Sequence, residues 1–170
     1  MPDRQIYVAD LAAYNAGHLH GVWIDIDSDI DVMEEQVKEM LAKSPVPDAE
    51  EYAIHDISNC QDLGIKEHTS LKEVAAIAEF LESANDEDAA IAAVSLAYNL
   101  DGAKDLLENY LGCADTLAAW GEEYYWGILS EEIPEKYLSY FDFEAFTRDM
   151  SYNGDIQTHK MHGRVYVFGR

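Results

Sequence analysis

Two stretches near the start of the chain, QIYVA at residues 5–9 and GVWIDI at residues 21–26, decide the fold of the first third. Both are rich in β-branched and aromatic residues, which favour strands. Asn15 and Gly17 lie between them, and these residue types are typical of turns. The two stretches are therefore predicted to pair as antiparallel strands.

A helix and a third strand follow the predicted hairpin. Asp31 is predicted to cap the helix, and Pro45 and Pro47 lie beyond its end. Apolar residues recur at helical spacing along one face of it: Val32, Met33, Val37, Met40 and Leu41. Residues 51–57, EYAIHDI, are predicted to form the third strand. Residues 1–67 thus make up the first predicted subdomain, an α+β unit.

The middle of the chain has the periodicity of helices. Ser70 and Glu73 fit a capping box that opens the first of them. Residues 85–88, NDED, are predicted to begin a second helix, which stops at Asp101-Gly102 and carries Ile91, Val94 and Tyr98. A third short helix is predicted to stop at Gly112 and to carry Leu106, Leu107, Tyr110 and Leu111. Residues 68–108 are assigned to a central helical subdomain.

The last part of the chain contains both helical and strand patterns of apolar residues. A helix is predicted to begin at Asp115-Thr116, and Asp142 is predicted to cap another over residues 143–150. Residues 155–159 and 164–168 are predicted to form a closing hairpin. Residues 109–170 therefore form a mixed C-terminal subdomain. The predicted fold class is α+β, with three small subdomains: a hairpin, helix and strand unit, a helical middle and the mixed C-terminal unit.

The charge of the chain is extreme for a protein that packs. Its 170 residues hold 34 Asp and Glu against 11 Lys and Arg, a net charge of −23, while 48% of the residues are hydrophobic. That much apolar sequence excludes an acidic disordered tail. Direct binding to nucleic acid or to an anionic membrane is excluded as well, because neutralising phosphates needs a basic face. A strongly basic protein partner is favoured.

The acids are unevenly distributed. Residues 1–78 carry a net of −11, residues 79–135 carry −13 with Lys104 as their one base, and residues 136–170 carry +1. The helical middle is therefore predicted to be the strongest anionic surface. The C-terminal segment is the region where two copies can meet without strong repulsion, which predicts a homodimer through it.

Cysteine content and apolar runs predict a cytoplasmic, soluble protein. Cys60 and Cys113 are far apart in sequence and form no CxxC pair, which argues against a disulfide framework. The first residues lack the pattern of a signal peptide, and no apolar run approaches the ~20 residues that span a bilayer.

The sequence signals for catalytic and metal sites are weak. The run Asp25-x-Asp27-x-Asp29-x-Asp31 fails the calcium-loop test, because the sixth and twelfth positions lack the required Gly and Glu. A metal-dependent enzyme that uses His18, His20 or His55 with nearby acids is kept as an alternative, although no third ligand is evident. We predict no catalytic residue, no metal site and no cofactor, and thus not an enzyme.

The carboxylates themselves are the remaining candidate functional groups. One interpretation is a solvated surface, as in a salt-adapted protein; another is a general acidic binder of basic proteins. The sharper hypothesis is that carboxylates on a rigid surface imitate phosphates and fill a basic DNA-binding groove. The predicted partner-binding residues are Glu79, Glu82, Asp86, Glu87, Asp88, Asp101, Asp105, Glu108, Asp115, Glu122, Glu123, Glu131, Glu132 and Glu135.

Several blocks of the sequence resemble the ArdA antirestriction proteins. The opening block is residues 6–11, IYVADL, followed by Tyr14-Asn15-x-Gly17-x-Leu19-x-Gly21-x-Trp23. Residues 51–56, EYAIHD, are similar to a second block, and Thr69-Ser70-Leu71 lies where the central helices of the family begin. Residues 140–149, YFDFEAFTRD, resemble the C-terminal block. The similarity runs from about residue 5 to residue 165.

The resemblance implies a non-enzymatic DNA mimic that occupies the DNA-binding groove in the methyltransferase core of type I restriction-modification enzymes and inhibits them. Mobile genetic elements would use it to escape cutting in a new bacterial host. The resemblance also implies an elongated, curved molecule of three small subdomains that dimerises through the C-terminal one. The acidic stretch from Glu122 to Glu135 lies where the family carries its antirestriction motif.

Overall fold

The computed structural model describes residues 4–170, apart from the side chains of residues 127, 128, 130, 132, 135 and 138. The chain divides into two compact units, an N-terminal unit, Met1–Glu87, and a C-terminal unit, Asp88–Arg170. Each unit contains helices and one antiparallel three-stranded sheet, so the predicted α+β class is confirmed. The division into 1–67, 68–108 and 109–170 stays a prediction.

The sheet of the N-terminal unit has the order β2-β1-β3, with β1 at Gln5–Asp10, β2 at Gly21–Asp25 and β3 at Tyr52–Ser58. Both pairings are antiparallel, which confirms the predicted hairpin and places the third predicted strand beside β1. One face of the sheet is the core face: Ile6, Val8 and Ile24 are fully buried there.

A short helix, α1 (Leu11–Asn15), links β1 to β2 and was not predicted. The Asp10 side chain caps it by accepting a hydrogen bond from the Ala13 N–H at 3.0 Å. Burial raises the pKa of the Asp10 carboxyl, but hydrogen bonds from Ser44, Ala13 and Ala12 outweigh burial and hold that pKa below its ordinary value. These hydrogen bonds therefore favour the charged form of the fully buried Asp10 carboxyl.

Two longer helices complete the N-terminal unit. They are α2 (Ile30–Ala42), which buries Met33, Val37 and Met40, and α3 (Leu71–Ser83), which buries Leu71, Val74 and Leu81 along its stripe. The cap prediction for α2 was wrong by two residues, because the Asp29 side chain accepts from the Asp31 N–H and begins the helix earlier. Val32, placed on the apolar face by its spacing, is 42% exposed.

The capping box at the start of α3 is confirmed. The Ser70 hydroxyl accepts from the Glu73 N–H, while the Glu73 carboxylate accepts from both the Ser70 N–H and the Ser70 hydroxyl. These hydrogen bonds to the Ser70 backbone and side chain lower the pKa of Glu73, since they favour its charged form.

The next two helices are α4 (Glu87–Leu96) and α5 (Leu100–Glu108), and their boundaries correct the sequence prediction. Asp101-Gly102 was predicted to end a helix, but it lies in the first turn of α5. The Asn99 side chain accepts from the Gly102 N–H at 2.9 Å, which makes Asn99 an N-cap. Tyr98 lies between the helices and is fully exposed.

Residues 110–114 are the largest error of the sequence prediction. The sequence pattern places Tyr110 and Leu111 in a helix that stops at Gly112, but Tyr110–Ala114 forms strand β4 and pairs with β6 (Arg164–Gly169). Gly112 has a φ of 117° beside the irregularity in that pairing, so it shapes a strand rather than ending a helix. A partner more than 50 residues away overrides the local helical pattern.

The rest of the C-terminal unit follows the prediction closely. Thr116 caps α6 (Leu117–Glu132), a short α7 (Glu135–Leu138) follows, and Asp142 caps α8 (Phe143–Asn153). Strands β5 (Ile156–Met161) and β6 form the predicted hairpin, and the sheet order is β4-β6-β5. His162 and Gly163 make the turn, both with positive φ, as a tight two-residue hairpin requires.

Helix α6 crosses α8 at a glycine. A Cβ atom added at Gly121 would collide with Cγ2 of Thr147, a residue that is 1% exposed and whose hydroxyl donates to the Phe143 carbonyl. Trp120, next to this crossing, packs in a core cluster with Ile156, Val165 and Val167. The close approach of the two helices therefore depends on the absence of a side chain at Gly121.

Candidate functional site

The predicted acidic residues of the N-terminal unit lie at the end of α3 and just after it. Glu79, Glu82 and Asp86 are exposed. Glu87 differs, because its carboxylate accepts from the Arg4 guanidinium at 2.6 Å and is only 34% exposed. This ion pair within the chain leaves Glu87 with less net charge to offer a partner, and its partner-binding role stays a prediction.

Asp88 is the first residue of the C-terminal unit and is also engaged within the chain. Tyr166 donates its hydroxyl to Asp88 Oδ2 at 3.3 Å, and His162 Nδ1 lies 3.8 Å from Asp88 Oδ1. Burial of the phenol, and next the Asp88 charge, raise the pKa of Tyr166 to about 12. Asp88 thus holds the β5–β6 hairpin to the start of α4.

Asp88→Asn should lower the pKa of Tyr166, because one of the two main causes of its rise is removed while burial remains. The neutral phenol favours the folded state, so this contribution to stability is complete below pH 10 and is lost as the pH rises through about 12. Absorbance titration of tyrosinate measures the shift. Asp101→Asn removes the same charge elsewhere and is the control; an equal shift in both variants would refute the contact.

The remaining predicted residues with described side chains are exposed on the C-terminal unit. Asp101, Asp105 and Glu108 lie on the outer side of α5, and Asp115 precedes the cap of α6. On α6 the exposed acids are Glu122, Glu123 and Glu131. Glu132 and Glu135 lie outside the residues whose side chains are described. Each unit thus presents several carboxylates to solvent.

The predicted partner-binding residues include none of the 16 acids of the first 78 residues. The N-terminal unit holds 20 acids and 5 bases, a net of −15, whereas the C-terminal unit holds 14 acids and 6 bases, a net of −8. The N-terminal unit therefore carries more negative charge than the C-terminal unit. The helical spacing of the acids in α2 was the available signal.

Helix α2 shows how dense these carboxylates are. It carries Asp31, Glu34, Glu35 and Glu39, four acids over a rise of about 12 Å. The three intervals between them average ~4 Å, which is comparable to the ~3.4 Å per phosphate along one DNA strand. Lys38 pairs with Glu34 at 3.0 Å and Lys43 with Glu39 at 3.5 Å, which reduces the net charge of this row.

Asp27 and Asp29 use their carboxylates on the backbone. Asp27 accepts from the Asp29 N–H at 2.8 Å, and Asp29 accepts from the Asp31 N–H at 3.0 Å. His20 Nε2 lies 2.7 Å from the Met40 carbonyl oxygen, and the His55 ring packs edge-on against Tyr14. Among the side chains that the structure describes, no group of three or more His, Cys, Asp or Glu is placed to hold a metal ion.

The two units define a small, strongly acidic α+β protein. Within residues 4–170 no helix combines the length and apolar character needed to cross a membrane. Comparison with protein-family models matches residues 6–163 to the antirestriction protein ArdA. The chain therefore belongs to the ArdA family, and family membership implies an antirestriction function. Comparison with curated protein sequences finds no match.

Proposed function

We propose that this chain acts as a DNA mimic in the bacterial cytoplasm. It occupies the DNA-binding groove in the methyltransferase core of a type I restriction-modification enzyme, inhibits the enzyme and so protects incoming mobile DNA. The observation that carries this proposal is the set of exposed carboxylates on α2, α3, α5 and α6 of a folded chain with a net charge of −23.

The physical basis is substitution of carboxylates for phosphates. A groove that binds DNA gains much of its affinity from basic side chains. These side chains also bind a protein surface that holds carboxylates at a density comparable to that of the phosphates. Two copies of the chain would carry −46, twice the charge of one. At one charge per ~1.7 Å, this equals about 80 Å of duplex.

Competition with DNA tests the proposal. A labelled duplex bound to the purified methyltransferase core is titrated with the full chain at several salt concentrations. We expect displacement at low salt and a loss of affinity as salt rises, because surface charges are screened. Absence of displacement at low salt would refute the proposal.

A second measurement separates a specific mimic from a general acidic binder. The same titration is run with a basic DNA-binding protein that has no role in restriction. A mimic shaped for its target should bind the methyltransferase core much more tightly. Equal affinity for both proteins would favour the general acidic binder.

We also infer that the chain forms a homodimer through residues 136–170, where the net charge is +1. The apolar strand β6 cannot be the contact surface, because Val165, Tyr166, Val167 and Phe168 are buried and β6 is the central strand of its sheet. Exposed tyrosines remain for that role: Tyr137, Tyr140 and Tyr152. Light scattering at micromolar concentration should give the mass of a dimer; a monomer would contradict the inference.

A further inference from the structure

The N-terminal sheet has a second face that carries aromatic and acidic side chains. Because side chains alternate along a strand, Gln5 and Tyr7 of β1 point away from the core face that buries Ile6 and Val8. Tyr7 is directly opposite Trp23 on β2 and opposite Asp56 on β3. A row of Trp, Tyr and Asp therefore crosses the three strands.

The two rings of this row are held in place by their neighbours. The ring centroids of Tyr7 and Trp23 are 5.4 Å apart, with the planes tilted by 55°. A Cβ atom at Gly21 would come within 2.6 Å of the Val8 carbonyl oxygen and 2.7 Å of the Tyr7 ring, so the backbone and the ring both approach β2 closely at this glycine. Trp23 nevertheless keeps 42% of its surface exposed. A fixed and accessible aromatic pair results.

Two exposed carboxylates flank the rings. Asp25 accepts from the Gln5 side chain at 2.7 Å, and Asp56 accepts from the Ile57 N–H at 2.8 Å. These hydrogen bonds orient both groups. The three strands contain no Lys or Arg, and Arg4, just before β1, pairs with Glu87. Lys66 lines the hollow beside Asp56 and is the neighbouring cation on that side. The face made by Tyr7, Trp23, Asp25 and Asp56 is called the Trp23 face below.

We propose that the Trp23 face binds an arginine side chain of the protein partner. A guanidinium group stacks on an aromatic ring and pairs with carboxylates at the same time, whereas the compact ammonium of lysine does not stack in this way. The charge of the N-terminal unit, −15, attracts the basic partner to this face. The inference rests on the proposed function and adds a local anchor to it, since buried aromatic and arginine contacts dominate many interfaces.

The first experiment needs no restriction enzyme. The full chain, labelled with ¹⁵N, is titrated with N-acetyl-L-arginine amide and separately with N-acetyl-L-lysine amide, and Trp23→Phe identifies the Trp23 indole N–H signal. We expect a saturable shift of that signal with the arginine compound and about fivefold weaker binding of the lysine compound. No saturable shift, or equal affinity for the two compounds, would overturn the inference.

Two matched double variants then test the carboxylates. Asp25→Asn with Asp56→Asn keeps the acceptor oxygens, and Asp101→Asn with Asp105→Asn removes the same charge from exposed positions of α5. Only the first pair should weaken binding of the arginine compound, by about fivefold. The inference fails if the two pairs have equal effects.

The same two double variants are compared in the competition assay with the methyltransferase core. A larger loss of affinity for the Asp25 and Asp56 pair supports an arginine contact in the complex. Equal losses of affinity would contradict that contact. If the wild-type chain binds the arginine compound at Trp23 but displaces no DNA, the proposed function fails and the arginine site remains.

Discussion

Amide replacement of six exposed carboxylates should weaken displacement of DNA from the methyltransferase core by about 100-fold. The six are taken from α3, α5 and the segment before α6: Glu79, Glu82, Asp101, Asp105, Glu108 and Asp115. An exposed charge contributes about 0.5 kcal/mol, so six contribute about 3 kcal/mol, and each 1.4 kcal/mol is tenfold in affinity. The competition titration at low salt measures the loss.

Single replacements in this set should change affinity by only two- to threefold on the same arithmetic. Glu79→Gln is a suitable single variant. Glu87→Gln is not, because it breaks the ion pair with Arg4 and changes the folded chain as well as its surface.

The control for the variant with six amide replacements keeps the charge and changes the side chains. Each Glu is replaced by Asp and each Asp by Glu at the same six positions, and this variant should retain most of its affinity. An equal loss in both variants would show that side-chain shape, rather than charge, determines binding. An unchanged affinity in the amide variant would place the binding surface elsewhere.

Gly121→Ala should destabilise the folded chain by about 2 kcal/mol, although alanine is the better helix former by about 1 kcal/mol. The added Cβ would collide with Cγ2 of Thr147 at the crossing of α6 and α8. Thr147 is buried, so the helices must separate to admit the methyl group. Urea unfolding followed by circular dichroism gives the change in free energy.

A double-mutant cycle identifies the cause of that loss. Thr147→Ser removes the methyl group in question and keeps the hydroxyl that donates to the Phe143 carbonyl. In the Thr147→Ser background, Gly121→Ala should cost little or even stabilise the helix. A cost that is the same in both backgrounds would mean that the crossing is not what excludes a side chain at Gly121.

Local signals predicted those elements whose causes lie within a few residues. The capping box of Ser70 and Glu73, the caps Thr116 and Asp142, and the hairpin over β1 and β2 all depend on neighbours in sequence or on a simple alternation. β4 could not be predicted in this way, because Tyr110 and Leu111 continue a helical pattern and become a strand only beside β6.

The sequence predicted that most of the acids are exposed, but it did not predict which of them pair within the chain. Exposure of the acids follows from their charge, so most of the predicted carboxylates face solvent. The internal pairing of Glu87 with Arg4 and of Asp88 with Tyr166 joins residues 83 and 78 positions apart, and no local pattern encodes such contacts. The Trp23 face likewise depends on register across three strands.

The position of β6 determines when the C-terminal unit folds during synthesis on the ribosome. β6 lies between β4 and β5, so neither of its neighbours has a partner in that sheet until residues 164–169 have been translated. The N-terminal sheet is complete once β3 ends at Ser58. Translation therefore allows the N-terminal unit to fold first. Tyr110–Ala114 stays unpaired until β6, some 50 residues later in the chain, has been synthesised.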